Sequence, residues 1–369
     1  MTKDSPTFHP FELAFGGYSN SGKTTLITRL IHRLARRYQV AYVKHDIHRF
    51  EMDHPGKDTF EAYAKGAGRV FISDKEHFAC VGAGKASEDD HRALLASADI
   101  ALIEGYKHSA IPKVILLDDQ NAICDEIVAG KIHGVVACVG KAPQGPGLEG
   151  IPYFQRDDLD GLTAFVEEVF QKQAQTVPLY GLVLAGGKSS RMGRDKSTLN
   201  YHGAAQVKYC HDLLRSFCEE VFVSNRPSQA DLNEHQGLNQ IHDSFLDMGP
   251  LGGILSAMRC HPAAAWLVLA CDLPWVDQEV IQTLLNARNP FVFATAYQSA
   301  HNAWPEPLCT VYEPKMYPRL LAFLGTGHTC PRKALINSRI TMIRQPRPNA
   351  LDNINHPHEY QRVIKEIRP

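Results

Sequence analysis

Two stretches of the chain set glycines beside cations and hydroxyls at spacings that suit the grip of a phosphate chain. The later one, Leu184-Ala185-Gly186-Gly187-Lys188-Ser189-Ser190-Arg191-Met192-Gly193-Arg194-Asp195-Lys196, continues the apolar run Leu182 to Leu184. Its glycines allow a sharp bend and present bare N–H groups to an anion. Lys188, Arg191, Arg194 and Lys196 bring four positive charges within nine residues, a density suited to a triphosphate. The earlier stretch, Gly17-Tyr18-Ser19-Asn20-Ser21-Gly22-Lys23-Thr24, has the pattern Gly-x4-Gly-Lys-Thr. Such a loop turns its amides and the following helix N-terminus toward the anion. Gly17, Ser19, Asn20, Ser21, Gly22, Lys23, Thr24 and Thr25 are therefore expected to bind a nucleotide, with Lys23 on the outer phosphates and the Thr24 hydroxyl helping to hold Mg²⁺.

Carboxylates at the ends of expected strands supply the rest of the chemistry. Asp46 follows the run Val40 to Val43, and Glu104 follows Ile100 to Ile103. In an open parallel sheet the ligand crevice lies outside the carboxyl ends of the strands, so both acids are expected Mg²⁺ partners. Solvated loop charges are the other reading of this pair. Further on, Asn225 closes the run Val221 to Val223, Asp243 follows Ile241, and Asp272 follows Trp266 to Ala270. This spacing assigns Asp272 to the metal, Lys196 and Arg191 to the triphosphate, and the backbone of Leu184, Ala185, Gly186 and Gly187 to the nucleotide. Asn225 and Asp243 complete the nucleotide contacts, and Arg191, Lys196 and Asp272 form the catalytic set. A helix N-cap ahead of Pro274 is the alternative role for Asp272. Attack on an α-phosphate needs charge neutralisation and in-line placement, not a covalent protein nucleophile.

The elements that must carry these groups alternate between apolar runs and amphipathic helices, the pattern of α/β folding. Leu26, Ile27, Leu30, Ile31 and Leu34 recur at helical spacing directly after the first loop. The runs Val114 to Leu117 and Val135 to Val139 add strands, and a helix is expected from about Gln206 to Cys218. A last amphipathic helix carries Leu162, Phe165, Val166, Val169 and Phe170, after which Gln171 to Pro178 is polar and ends in proline. With 369 residues, two domains are expected: 1–170 with a phosphate loop, a linker at 171–178, and 179–369 as a Rossmann-like domain, both doubly wound.

Composition narrows the classes. Hydrophobic residues make up 44% of the chain and charged residues 21%, enough for ordinary cores, and no window suits a membrane span. A net charge of -1 argues against a general nucleic-acid or membrane binder, so anions must be met by local clusters. The nine cysteines are scattered without a Cys-x-x-Cys pair, and the first residues lack an apolar signal segment, so reduced thiols and a cytoplasmic location are expected. The eighteen histidines lack ligand spacing and read as ordinary core or surface residues.

The order Leu-Ala-Gly-Gly-x-Ser-x-Arg-Met-Gly-x-Asp-Lys resembles the signature loop of molybdenum cofactor guanylyltransferases. That resemblance extends over about 179–369 through Asp243-Ser244, Gly249-Pro-Leu-Gly252-Gly253, Cys271-Asp272-Leu-Pro and Asn353-Ile-Asn355. It implies transfer of GMP from GTP to Mo-molybdopterin, with Mg²⁺, and it places Gly252, Gly253, Asn353 and Asn355 near the acceptor. One departure is Trp304, where many relatives carry a basic residue. About 11–170 resembles the accessory GTP-binding protein of the same pathway through its phosphate loop, Lys44-His-Asp46-Ile-His48, Pro55-Gly-Lys-Asp-Thr59 and Glu104-Gly-Tyr-Lys-His108. This implies GTP binding with weak hydrolysis, molybdoenzyme apoproteins or their chaperones as partners, and a homodimer through the N-terminal domain. Base choice stays open at this point: a cytidylyltransferase, a sugar-phosphate nucleotidyltransferase, and a non-catalytic nucleotide-gated adaptor that delivers cofactor also fit.

Overall fold

The computed structural model describes residues 8–44, 53–84, 86–120, 122–141, 148–186 and 195–367. His45, Asp46 and His48, like Gly187, Lys188, Arg191 and Arg194, lie outside the described residues. The chain divides into two units, Met1–Lys172 and Gln173–Pro369.

In the first unit the elements run β1 (Glu12–Gly16), α1 (Lys23–Leu34), β2 (Val40–Lys44), α2 (Asp58–Ala64), β3 (Arg69–Ser73), β4 (Phe78–Gly82), α3 (Glu88–Leu95), β5 (Ile100–Glu104), β6 (Lys113–Leu116), α4 (Ala122–Val128), β7 (Val135–Val139), β8 (Tyr153–Phe154) and α5 (Leu159–Gln175). Six strands form one sheet in the order β2-β5-β1-β6-β7-β8, every pair parallel. Residues of β1, β5 and β6 are buried throughout, which is why they read as unbroken apolar runs rather than alternating ones. α1 buries Leu26, Ile27, Leu30 and Leu34 and leaves its arginines outside the core. Connections from β1 and β6 leave in opposite directions, so a switch point opens at the carboxyl end of β1. β3 and β4 stand apart from that sheet as an antiparallel hairpin, with Phe71 and Phe78 exposed and their rings stacked 6.0 Å apart.

α5 runs on to Gln175, so the polar stretch beginning at Gln171 is helical for its first five residues. The cause is the buried stripe Leu162, Val166, Phe170 and Ala174, which recurs at i+4 and carries the helix past the point where polarity suggested a linker.

The second unit contains β9 (Leu179–Leu184), α6 (Gln206–Arg215), β10 (Glu220–Asn225), β11 (Asn239–His242), α7 (Pro250–Cys260), β12 (Ala265–Ala270), α8 (Gln278–Asn286), β13 (Ala294–Gln298), β14 (Pro305–Tyr312), α9 (Met316–Gly325), α10 (Pro331–Ile336), β15 (Ile340–Ile343) and α11 (Pro357–Ile367). The sheet order is β11-β10-β9-β12-β14-β13-β15, with β14 antiparallel to both of its neighbours and the other pairs parallel. Successive strand residues serve opposite faces. Val183, Leu267 and Leu269 join one apolar cluster with Val207 and Leu214 of α6 and Val280 and Leu284 of α8. Leu182, Trp266 and Val268 join the other, with Ile254 and Met258 of α7 and Met316 and Leu320 of α9. Burial on both faces makes a three-layer α/β unit. β9 is followed outward by β10 on one side and flanked by β12 on the other, so the switch point of this sheet lies between β9 and β12.

Candidate active site

At the β9/β12 switch point a cleft of about 690 Å³ is lined by Leu184, Ala185 and Gly186 from β9, Asp243 from the end of β11, and Asp272 from the end of β12. Lys196, at the start of a single 3-10 turn (Lys196–Thr198), also lines it. Lys196 Nζ donates to Asp272 Oδ2 at 3.2 Å and to Asn355 Oδ1 at 2.6 Å, joining residues far apart in sequence. The Asn355 segment is brought there by the Ile354 amide, which donates to the Asp272 carbonyl at 2.9 Å. Asp272 Oδ1 is buried with no hydrogen-bond partner among the described residues. A buried acceptor left in that state costs about 1 to 3 kcal/mol, and its place in the cleft makes this one available to a ligand. Asp272 is not a helix cap: Asp277 caps α8, accepting from the Val280 amide at 3.1 Å.

Asp243 accepts from Ser224 Oγ at 2.8 Å, and its Oδ2 lies 3.2 Å from where a Cβ on Gly186 would stand. Only glycine fits at 186 without pushing that carboxylate aside. Burial raises the Asp243 carboxyl above its ordinary value, against the pull of Ser224 and of the Arg226 charge. Arg226, one position beyond β10, lines the cleft. Asn225 does not: its side chain is fully buried, donating to His235 Nδ1 at 2.9 Å and Gln240 Oε1 at 2.6 Å while accepting from His242 Nδ1 at 2.8 Å. Alternation along the strand turned Asn225 inward and left the next residue facing the cleft.

The last two glycines of Gly249-Pro-Leu-Gly252-Gly253 serve packing first. A Cβ at Gly252 would meet the Phe245 carbonyl at 2.4 Å, and one at Gly253 would meet Ser224 Oγ at 2.3 Å. Gly253 reaches the cleft wall, whereas Gly252 does not. Asn353 lines a smaller cavity of about 220 Å³ that shares Leu308 with the cleft and includes Arg332 and His301. Trp304 is exposed and lines neither cavity. The cation beside this segment comes instead from α10, where Arg332 donates to the Pro305 carbonyl at 3.1 Å and to Glu306 at 2.7 Å.

Sequence patterns gave no separate role to five polar residues in and behind the cleft wall: Asp195, Ser197, Ser224, Gln229 and His235. Gln229 donates both to the Ala185 carbonyl and to Asp195 Oδ2, so one carboxamide holds both flanks of the glycine and cation loop. No local motif marks such residues, because they meet only after β10 and β11 pair.

In the first unit Gly17 to Gly22 forms the bend between β1 and α1, with Asn20 at φ 62° and Gly22 at φ 86°, and Lys23, Thr24 and Thr25 open α1. Lys23 Nζ donates to the carbonyls of Gly17 at 3.1 Å and Tyr18 at 2.7 Å. Thr24 Oγ1 donates to Glu104, 2.9 Å from either carboxylate oxygen; Tyr42 donates to Oε2 at 2.6 Å and Lys44 pairs with Oε1 at 3.1 Å. Burial would raise the Glu104 carboxyl, but these bonds from Tyr42, Thr24 and Lys44 outweigh it and hold it below its ordinary value. Glu104 and Thr24 therefore do converge at the phosphate loop. Ser19 and Ser21 stand on the same bend and Thr25 in the first turn of α1, and Arg156 braces the bend, donating to the Ser21 carbonyl at 2.6 Å and the Leu117 carbonyl at 2.8 Å.

A magnesium ion fits the chemistry of both places. Mg²⁺ commonly takes one or two carboxylates together with substrate phosphates and waters, and a lone Asp272 oxygen beside a phosphate-sized cleft meets that need. Among the described residues no cluster of three acidic, histidine or cysteine ligands is present, so a cage made by the protein alone is not formed there. No helix of the described residues is long and apolar enough to cross a membrane.

Fold and site together define a chain of two α/β units, each with its candidate phosphate-binding loop at a strand switch point. The family model described as MobA-like NTP transferase domain matches residues 181–341, and that described as molybdopterin guanine dinucleotide synthesis protein B matches 13–139. The molybdenum cofactor biosynthesis bifunctional protein of Synechocystis sp. is 37% identical over 186 residues, 50% of this chain and 54% of the relative, so the chain matches about half the length of that protein. The molybdopterin-guanine dinucleotide biosynthesis adapter protein of Escherichia coli is 33% identical over 168 residues, covering 44% of this chain and 94% of the adapter. The molybdenum cofactor guanylyltransferase of Xanthomonas euvesicatoria is 30% identical over 197 residues, 51% of this chain and 96% of that enzyme. The chain belongs to both families, its N-terminal part to that of the adapter protein and its C-terminal part to that of the molybdenum cofactor guanylyltransferases.

Proposed function

We propose that the C-terminal unit transfers GMP from GTP to Mo-molybdopterin, forming the guanine dinucleotide cofactor and pyrophosphate. The observation that carries this reading is Lys196 held between Asp272 and Asn355 in the cleft at the β9/β12 switch point. Lys196 neutralises charge on the triphosphate and steadies the departing pyrophosphate, while the cleft excludes water from the α-phosphate. Gly186 admits the nucleotide close to the backbone, and Leu184, Ala185 and Asp243 shape the wall beside it. Arg226 adds a second cation on that wall; Asn225 supports it from behind. Arg191 and Gly187 belong to the same sequence motif, Arg191 keeping its assignment to the triphosphate and the Gly187 backbone its assignment to the nucleotide. Asp272 Oδ1 would hold Mg²⁺, which when bound spreads the negative charge of the phosphates. The acceptor enters from the smaller cavity, where Asn353 lies, toward Asn355 and Gly253.

The N-terminal unit binds GTP at Gly17 to Thr25 and supports the transfer or the delivery of its product to molybdoenzyme apoproteins or their chaperones. Thr24 and Glu104 would hold its Mg²⁺, with Asp46 assigned to the same ion. A homodimer through this unit and a cytoplasmic setting belong to the same proposal.

Pyrophosphate release tests the reading. Purified chain with Mg²⁺ and Mo-molybdopterin should release it from GTP, and more slowly from CTP or ATP. Equal or faster release with CTP would replace the guanylyltransferase by a cytidylyltransferase, and failure with all three nucleotides would leave a binding adaptor.

A further inference from the structure

His235 is buried behind the cleft and touches none of its surface, yet it connects two walls of it. Its Nδ1 faces the Asn225 Nδ2 donor at 2.9 Å, and its Nε2 faces Ser197 Oγ at 3.0 Å. Asn225 Nδ2 also donates to Gln240 Oε1, and Gln240 Nε2 donates to the carbonyls of Ala230 and His235, both at 3.2 Å. Because Gln240 Nε2 faces two carbonyls, its Oε1 must be the atom that meets Asn225, and reversing the Asn225 amide would set acceptor against acceptor there. Nδ1 must therefore accept, and the proton of a neutral ring must sit on Nε2, pointing at Ser197. Ser197 Oγ in turn donates to Asp195 Oδ1 at 2.7 Å, and Asp195 Oδ1 also accepts from the Ser197 amide at 2.9 Å. Lys196 stands between these two residues, so its backbone is set by a turn that His235 closes.

We propose that His235 is a positioning residue for nucleotidyl transfer: as the neutral Nε2–H tautomer it locks the Asp195–Ser197 turn and so sets Lys196 against Asp272. This rests on the reading of Lys196 and Asp272 as the triphosphate site. A second imidazole proton would set an Nδ1–H against the Asn225 amide donor, breaking the chain at its centre. Asp195 and Glu234 are the acidic groups whose charge favours that proton, and burial opposes them and wins, holding His235 below its ordinary value. Gln240, Asn225 and Ser197, packed against the ring, carry no charge. Acid should therefore loosen Lys196 through this ring, separately from the proton that Asp243 takes up in the cleft itself.

Three forms of the full chain test this: wild type, His235→Phe and His235→Gln. Phenylalanine keeps a ring but offers neither bond, whereas the glutamine amide offers an acceptor to Asn225 and an N–H to Ser197. His235→Phe should lower kcat for pyrophosphate release roughly tenfold to hundredfold, since small misplacements of a charge-stabilising group carry costs of that order. Its GTP Kd should stay within about threefold, because the Lys196 charge remains and only its transition-state placement is lost. His235→Gln should restore kcat to within about threefold of wild type and should lose the part of the acidic limb that His235 contributes, leaving only the limb of Asp243 at lower pH, since an amide does not titrate. ¹⁵N-histidine NMR at pH 7 should show His235 as the Nε2–H tautomer. Wild-type kcat in His235→Phe, an unchanged acidic limb in His235→Gln, or an Nδ1–H or imidazolium signal would each overturn the proposal; should His235→Phe not fold, the glutamine limb decides. If wild type itself releases no pyrophosphate, the functional reading fails, and the NMR signal still decides the tautomer and the lock.

Discussion

Glu104 and Asp272 both stand at the carboxyl ends of parallel strands beside a candidate phosphate-binding loop, and they are held in opposite ways. Both Glu104 oxygens are taken: Thr24 contacts both, Tyr42 one and Lys44 the other. Asp272 spends one oxygen on Lys196 and leaves the other buried and unmatched. A carboxylate with every lone pair employed contributes to the fold and must exchange partners to take up a metal. One with a bare buried oxygen costs the fold and is ready for a cation. The two units thus place the same side-chain chemistry in the same topological position, with the first set for stability and the second for ligand.

Activity should show the contrast most strongly. Asp272→Ala is expected to lower the rate of pyrophosphate release from GTP and Mo-molybdopterin by roughly a hundredfold to a thousandfold, the cost typical of removing one charge-stabilising group from an active site. Near-normal turnover in the folded variant would remove Asp272 from the chemistry and end the contrast.

Stability should show the reverse ranking. Glu104→Gln turns an acceptor toward three donors into a group that brings an N–H₂ of its own, so the first unit should lose about 1 to 3 kcal/mol in denaturant unfolding. Asp272→Asn should cost the second unit less than about 1 kcal/mol, because one of the oxygens it replaces was already unsatisfied. Equal losses in the two units would show that the bare oxygen of Asp272 is not the difference between them.

The smallest effect is in pH. The bonds to Glu104 hold its carboxyl below the ordinary 4.5, so the unfolded state binds more protons in that window. Stability from Glu104 is complete above 4.5 and is lost as the pH falls through the lower folded value. Asp243 has the opposite sign: burial raises its carboxyl above the ordinary 3.8, so its folded state gains as the pH falls toward that value. Unfolding midpoints of wild type and Glu104→Gln between pH 3 and 5 (about one unit either side of the carboxylate range) should converge as the acid deepens; parallel curves would deny Glu104 its shift.

Motif spacing located both loops and the acids at strand ends because those residues lie next to the strands that carry them. Leu184 to Gly186, Lys196, Asp243 and Asp272 were all legible this way, and all line one cleft. Asn225 was misplaced for a related reason: the strand end was right, but which side chain faces the cleft depends on the pleat and on what packs behind it. Gly252 was read as an acceptor contact when its backbone neighbour, the Phe245 carbonyl, leaves no room for any side chain. The linker was read from polarity, yet one buried apolar residue in every turn, ending at Ala174, was enough to extend α5.

From the chain alone came the two α/β units, the phosphate-binding patterns and the strand-end acids, since glycine conformational freedom, apolar periodicity and charge density are local properties. Tertiary structure alone decided that Lys196 meets Asn355, that Asp272 keeps a bare oxygen, and that His235 closes the turn between them. Each of those depends on strands and segments distant in sequence being brought within hydrogen-bond reach, where burial and the count of available partners, not residue type, determine what a polar group does.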